Sequence, residues 1–342
     1  LTANTSGANN VALGTNALVA NTTATGNVAV GYNSLDANTT GASNTSVGYY
    51  ALSGNTTDSY NTAIGNASMQ GSNGAVGCTA VGSSSLNAAT TGDYNVAVGY
   101  NAGLVMTSGD RNVAIGATAL DACTTGQYNV AVGNSALGSV IGGHSNTSIG
   151  TNTGAAITEG HSNTVLGDDS GNAITTGDNN TCIGYEAGIS GSPGGAITTG
   201  DNQICLGDEN VTHAHIQVDW TIASDERDKT DIEDLDVGLE FVNQLQPKTY
   251  RWDKRSLYNN NQSVLPDGSH KTDQLDVGFL AQDVDDIEKS LGFSRDDKTN
   301  LVSSVSEDGK MYGLKYNKFV PMLVNAIQEL SAEIEKLKKE QN

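Results

Sequence analysis

The sequence predicts a mainly β protein: a trimeric β-solenoid or β-roll shaft of 17-residue rungs, followed by a small α+β domain ending in a coiled-coil helix. Three observations support this prediction. An apolar triplet closed by glycine recurs every 17 residues through the first part of the chain. The composition changes abruptly after residue 223. Apolar residues at alternating spacings of three and four run through the C-terminal end.

The chain of 342 residues consists of two compositionally different parts. Residues 1–223 contain 35 of the 41 glycines and one basic residue, Arg111, whereas residues 224–342 contain 16 of the 17 Lys and Arg. Both parts are acidic, and the net charge is −21. An acidic chain repels phosphate backbones, so we expect no nucleic-acid partner. Because no apolar run reaches the length of a membrane helix, we expect no membrane insertion.

The repeat of the first part is clearest at Asn95–Gly99, which recurs with little change in the next two copies. The closing glycine falls at intervals of 17 residues, at Gly14, Gly31, Gly48, Gly65, Gly82, Gly99, Gly116, Gly133, Gly150, Gly167 and Gly184. A twelfth copy ends six residues late, at Gly207, because residues 190–195 lengthen one turn. Such a fixed period is typical of a repeat architecture.

Each copy has the pattern of a short strand. Val, Ile or Leu alternates with a small residue, which is the two-residue period of a β-strand. A second short stretch, such as Asn16–Leu18, follows the glycine, and a turn such as Thr124–Gly126 comes next. We therefore expect two short strands and two turns in each rung of a parallel β-solenoid.

An asparagine precedes the apolar triplet in ten of the twelve copies. Stacked rungs would place these amides about 4.8 Å apart, where they can bond as a ladder. The position is therefore predicted to be structural rather than a ligand site.

Each rung is thin, with about three apolar side chains, so a single solenoid would bury little surface and leave one face apolar. Three chains around a common axis would cover that face, so we expect a homotrimer whose shaft spans residues 1–208. The repeats of residues 7–207 resemble the head repeats of trimeric autotransporter adhesins and the Gly/Asn-rich shafts of phage tail fibres. This resemblance implies a trimeric, elongated architecture.

Residues 224–342 contain four sequence blocks in a distinctive order. The blocks are Ser224–Lys229, Leu245–Trp252, Val277–Val284 and Tyr316–Pro321. Together they resemble the intramolecular chaperone auto-processing domain of phage endosialidases and tail fibres. That resemblance implies a single-turnover, self-cleaving serine endopeptidase that needs no cofactor and acts on no other substrate.

By the same resemblance, Ser224 is the nucleophile, Lys229 is the general base, and the bond between Ala223 and Ser224 is cut. The chemistry is coherent, because a hydroxyl is a weak nucleophile until a base takes its proton, and an amine is a base only when neutral. Residues 225–228 must then turn back to bring Lys229 within reach. The alternative is that Ser-Asp only starts a helix or turn and that Lys229 is a solvated charge.

The C-terminal helix is expected at residues 317–340. Its apolar stripe is a predicted trimer seam: Val320, Leu323, Ile327, Leu330, Ile334 and Leu337. Near-identical rungs specify register weakly, so a domain that trimerises first would align the three chains. The alternative for the stripe is a lone amphipathic helix packed against its own domain.

Residues 209–223 are expected to form a junction or tip strand that includes the alternating run from Val211 to Val218. Alternation would place His213 and His215 on one face of this strand. Threefold symmetry would then gather six imidazoles around the axis, which suits a transition metal such as iron or nickel. Surface or packing histidines are the alternative.

Four cysteines occur without metal-ligand spacing. Cys182 and Cys205 occupy the same place in neighbouring rungs, where earlier copies have alanine in most cases. We interpret them as small apolar filling, with a disulfide as the alternative.

These features and resemblances lead to one functional hypothesis with two alternatives. We expect a structural fibre of a virion tail, made in the host cytoplasm, that attaches to a host-surface glycan or protein. The alternatives are a bacterial trimeric surface adhesin with the same chaperone, and a passive spacer without receptor binding. Because the repeat is already in progress at Leu1, we expect an anchoring region to precede it.

Overall fold

The computed structural model describes residues 1–217, 220–258, 264–307 and 309–341. The chain divides into two compact units, residues 1–210 and residues 211–342. Val218 and Asp219, which belong to the predicted junction strand, lie outside the described residues. Within the described ranges, every helix is too short or too polar to cross a membrane.

The first unit is a β-solenoid with one strand per rung. Its strands are β1 (Val11–Leu13), β2 (Val28–Val30), β3 (Thr45–Val47), β4 (Thr62–Ile64), β5 (Thr79–Val81), β6 (Val96–Val98), β7 (Val113–Ile115), β8 (Val130–Val132), β9 (Thr147–Ile149), β10 (Thr164–Leu166), β11 (Thr181–Ile183) and β12 (Ile204–Leu206). They form one sheet in which each strand pairs in parallel with the next along the chain. The predicted solenoid of 17-residue rungs is confirmed.

The core of the solenoid is a narrow column of small and medium-sized side chains. The central residue of each strand from β2 onward faces inward and is buried, as Ala97 and Ala114 are. It joins one cluster with a column of larger residues: Leu18, Leu35, Leu52, Met69, Leu86, Leu120 and Leu137. Small residues predominate at the strand centres, and the larger Val165 packs against Gly171, where the column has no leucine.

The second short stretch of each rung is a turn, so the prediction of two strands per rung is wrong. Asn16 and Leu18 have φ values of 59° and 51°, in the left-handed region. The backbone is still tied to the next rung, because Leu18 N donates to Ser34 O at 3.1 Å. A rung of 17 residues must close a full circle, and alternating left-handed residues bend the chain enough to do so.

The predicted asparagine ladder is present. Asn129 N donates to Asn112 Oδ1 at 2.9 Å, and Asn129 Nδ2 donates to Gly143 O in the next rung at 2.8 Å. Asn129 Oδ1 in turn accepts from Asn146 N at 3.0 Å, so the polar side-chain atoms of this fully buried residue are satisfied. The closing glycine is required by space, since a Cβ added to Gly116 would collide with the carbonyl oxygen of Gly133.

The second unit is a small α+β fold. Its elements are α1 (Leu239–Gln244), β13 (Lys248–Tyr250), β14 (Asp276–Gly278), α2 (Ala281–Ser290), β15 (Ser303–Val305), β16 (Tyr312–Leu314) and α3 (Phe319–Glu340). Strands β13 and β14 pair antiparallel, as do β15 and β16. The core is one apolar cluster: Val237, Phe241, Val284, Val302, Phe319 and Met322.

Candidate functional site

The structure brings the two predicted catalytic side chains into contact. Lys229 Nζ lies 2.7 Å from Ser224 Oγ and 3.3 Å from the carbonyl oxygen of the same serine. A nucleophile within hydrogen-bond distance of a base is the arrangement that nucleophilic catalysis needs. The bond runs from the lysine ammonium to the hydroxyl, and after loss of a proton the amine could accept from the serine instead.

A single helical turn produces this contact. Residues Glu226–Asp228 form a 3₁₀ turn, and Lys229 N donates to Glu226 O at 3.1 Å. Asp225 caps the turn, because its carboxylate accepts from Arg227 N at 2.9 Å. The chain therefore doubles back between Ser224 and Lys229, as the sequence-based expectation required.

The Asp225–Arg227 pair holds the turn from outside. Arg227 Nη2 lies 2.6 Å from Asp225 Oδ2, and Arg227 Nε lies 3.0 Å from Asp225 Oδ1. Hydrogen bonds from the Arg227 side chain and backbone stabilise the charged carboxylate of Asp225 and so lower its pKa. Sequence reasoning missed this pair. The signal was an aspartate at the capping position two residues before an arginine.

The dyad and the predicted cleavage position are open to solvent in the single chain. Ala223, Ser224 and Lys229 are all exposed. Water that surrounds an ammonium stabilises its charge, whereas catalysis needs the neutral amine. The geometry of the pair is therefore formed by one chain, but its shielding from water is not.

Helix α3 has two different faces. Phe319, Met322 and Ala326 are buried against the second unit. The predicted seam residues remain between 44% and 66% exposed: Val320, Leu323, Ile327, Leu330, Ile334 and Leu337. Packing against its own domain therefore uses a different stripe of the helix and leaves the predicted seam without cover in the single chain.

The outer face of the solenoid sheet is a second exposed apolar surface. The last residue of many strands points outward and is exposed: Leu13, Ile64, Val98, Ile115, Ile149, Leu166, Ile183 and Leu206. Exposed apolar side chains that recur along one face are typical of interaction surfaces in soluble proteins.

His213 and His215 lie side by side, with parallel rings whose centroids are 5.8 Å apart. Residues 211–217 and 220–223 form no strand, because no strand of the same chain pairs with them. Among the described residues of one chain, no third metal-ligand side chain joins the two histidines. His213 Nδ1 lies 2.8 Å from Thr212 Oγ1, which leaves Nε2 as its free nitrogen.

Residues 224–293 match the model of the Peptidase_S74 family, described as the chaperone of endosialidase. The match begins at Ser224 and covers α1, β13, β14 and α2. No curated protein and no solved structure matches the chain. The family implies a self-cleaving intramolecular chaperone, and this domain behind a β-solenoid is consistent with a tail fibre.

Proposed function

We propose that this chain is the subunit of a trimeric fibre whose C-terminal unit assembles the shaft and then cuts itself off before Ser224. One observation carries the proposal. The first residue of the family match is a serine whose hydroxyl lies 2.7 Å from the amine of Lys229. The solenoid shaft forms the fibre. The C-terminal unit, which contains the family match, directs assembly and carries out the cleavage.

The cleavage reaction follows from the position of the serine. Neutral Lys229 takes the hydroxyl proton, and Ser224 Oγ attacks the carbonyl carbon of Ala223. The carbon–nitrogen bond breaks, and the nitrogen takes up a proton to become the new amino group of Ser224. Water then hydrolyses the ester, which leaves a carboxylate on Ala223 and restores the hydroxyl. Each chain reacts once.

The exposure of the dyad links cleavage to assembly. Burial of a lysine favours its neutral form, and packing by another copy of the chain would supply that burial. Cleavage would then follow association. A cut at that stage leaves the fibre held together by the high barrier to separating three long chains.

Both units carry an apolar surface that a second and third copy would cover. On α3, β-branched residues alternate with leucine, a pattern also typical of two-stranded coiled coils. The helix therefore promotes association of the chains. The copy number is set by the shafts, because three copies are needed to cover their outer apolar faces. Aligned helices also fix the register that the repetitive rungs specify weakly.

The fibre is proposed to belong to a virion tail and to attach to a host-surface glycan or protein. The repeats favour an adhesin of a bacterial surface as the second candidate, because they resemble the heads of trimeric autotransporters as well. Neighbouring tail or baseplate genes would support the first, and an autotransporter or lipoprotein anchor would support the second. A passive spacer would bind neither a glycan nor a protein of the host surface.

A metal on the threefold axis remains a separate proposal. In a trimer, His213 and His215 would contribute six imidazole nitrogens, enough for an octahedral iron or nickel ion. Elemental analysis of the purified trimer is expected to give one transition metal per three chains. Absence of stoichiometric metal would end this proposal without touching the cleavage reaction.

Mass spectrometry of the expressed chain tests the main proposal. We expect two fragments, residues 1–223 and 224–342, and a native mass of three copies. A stable, uncut single chain would refute both the chemistry and the assembly. A trimer of uncut chains would refute only the cleavage.

A further inference from the structure

One position of the solenoid has a left-handed backbone in every rung. It lies two residues before each strand, and its φ values range from 55° to 71° in all twelve rungs. In eight rungs the occupant is Gly, Ser or Asn, as at Ser145, Ser162 and Asn179. The four exceptions are Tyr60, Tyr94, Arg111 and Tyr128.

These exceptions are unfavourable for the fold. Bulky side chains rarely adopt left-handed backbone, and small or amide residues serve this position elsewhere in the shaft. Three of the four occupy consecutive rungs, at Tyr94, Arg111 and Tyr128, and we call these three residues the tyrosine–arginine ladder. Local strain that the fold does not need points to a function.

The ladder is a layered stack. The Arg111 guanidinium carbon lies 5.5 Å from the ring centre of Tyr94 and 5.6 Å from that of Tyr128. Arg111 Nη1 also donates to the Tyr128 hydroxyl at 3.3 Å. A Cβ added to Gly77 would lie 2.9 Å from the Tyr94 ring, so the ring packs closely against the glycine of the previous rung.

The side chains of the ladder are exposed, and the positive charge of Arg111 is not neutralised by a carboxylate of the shaft. Tyr94 and Tyr128 are 55% and 52% exposed, and Arg111 is exposed between them. Arg111 is the one basic residue of residues 1–223, yet within residues 1–217 it forms no ion pair with a carboxylate. The adjacent acids are engaged elsewhere: Asp93 accepts from Val76 N, and Asp110 accepts from Asp93 N.

The ladder is also held in place before any ligand arrives. Tyr94 N, Arg111 N and Tyr128 N each donate to a carbonyl of the preceding rung, at 3.0, 2.9 and 3.1 Å. Rings on a fixed backbone lose little conformational freedom on binding, which favours recognition by a preformed surface.

We propose that the tyrosine–arginine ladder binds a glycan chain lying along the shaft. The inference deepens the proposed attachment role and rests on it. The exposed edges and hydroxyls of Tyr94 and Tyr128 offer apolar contact and hydrogen bonds to sugar rings, and the N–H groups of Arg111 donate to hydroxyl or carboxylate oxygens. The open, repeating surface suits a polymer better than a small molecule. The acidity of the shaft excludes nucleic acid.

The test uses the full-length chain on an array of oligosaccharides with matched neutral and carboxylate-bearing members. The double variant Tyr94→Asn/Tyr128→Asn places at both positions a residue that this backbone position already holds in other rungs. We expect its binding to fall at least about tenfold. Arg111→Ser is expected to weaken carboxylate-bearing members more than neutral ones if an acidic sugar is the contact, and both equally if hydroxyls are.

Tyr100→Asn is the matched control. Tyr100 lies on the same rung as Tyr94 and is 60% exposed, and its column holds Asn66 and Asn134 in other rungs. Its binding should stay within about twofold of the parent chain.

Three results would overturn the inference. They are a parent chain that binds no array member, a double variant that binds as well as the parent, and a double variant whose native mass changes. The last would identify the ladder as an interface between copies of the chain. Fragment masses and native mass of the parent test the proposed assembly separately, so failure of one is distinguishable from failure of the other.

Discussion

Glu329 Oε2 accepts a hydrogen bond from the backbone nitrogen of Leu239 at 2.7 Å, which ties the middle of α3 to the start of α1. Gly238 precedes α1 and offers no side-chain cap, so the Glu329 carboxylate satisfies an amide that the helix leaves free. Asn325 Nδ2 adds a bond to Leu235 O at 2.9 Å. These contacts fix the rotation of α3, so its apolar stripe faces outward before any partner arrives.

We expect Ile327→Glu to abolish trimer formation without unfolding the second unit. Ile327 is 66% exposed in the single chain, so glutamate meets water there, but three carboxylates would meet in a seam. Native mass spectrometry reports the copy number, and circular dichroism reports the fold. Gln328→Glu adds the same charge one residue away on an exposed position outside the stripe, and this control should remain trimeric. A trimer formed by Ile327→Glu would rule out the seam.

Ser224→Ala and Lys229→Ala should each reduce cleavage by about a thousandfold or more while leaving the trimer intact, because either change removes one half of the dyad. Ser224→Cys keeps a nucleophile and should retain slow cleavage. A denaturing gel after timed expression measures the uncut chain. Ser290→Ala and Lys271→Ala replace exposed residues of the same types and should be cut normally. Normal cleavage of Lys229→Ala would assign the base to another group.

Asp225→Asn should slow cleavage by about tenfold and leave assembly unchanged. Asparagine still caps the turn, but it loses the charge that binds Arg227, so Lys229 is held less firmly against the serine. The rate is read from the decay of the full-length band after a pulse of expression. Asp234→Asn removes an exposed acid outside the turn and should have no effect. Equal rates for the two variants would show that the pair does not position the lysine.

Much of this architecture could be predicted because it is encoded locally. One period of 17 residues contains the strand, the buried asparagine and the closing glycine, and stacking repeats the same contacts in every rung. The contact between Ser224 and Lys229 spans five residues and needs one turn. Both features therefore follow from short segments.

The features that could not be predicted depend on space or on distant residues. Leu18 takes a left-handed backbone that leucine seldom adopts, because the narrow rung must close around its side chain. The hydrogen bond between Glu329 and Leu239 joins residues 90 positions apart, so no local sequence pattern predicts it. The residues of the tyrosine–arginine ladder lie 17 positions apart in the sequence, but their exposure and their left-handed backbone are visible only in the structure.

The four cysteines give the last prediction. Cys78, Cys123, Cys182 and Cys205 are free and buried. Burial raises the pKa of Cys78 and Cys123 to about 11 and that of Cys182 to about 12, and it raises the pKa of Cys205. Since the thiolate is the reactive form, and its fraction falls as the thiol pKa rises, the folded chain should react negligibly with a disulfide reagent at pH 8.

Unfolding in guanidinium without reductant should expose four reactive thiols per chain. Cys182 and Cys205 lie opposite each other on the neighbouring strands β11 and β12, so a disulfide between them is the competing outcome. Such a disulfide would leave two reactive thiols per chain. Reduction before unfolding provides the reference count. Rapid reaction of the folded chain would contradict the closed solenoid interior, because reagent can reach these sulfurs only if neighbouring rungs separate.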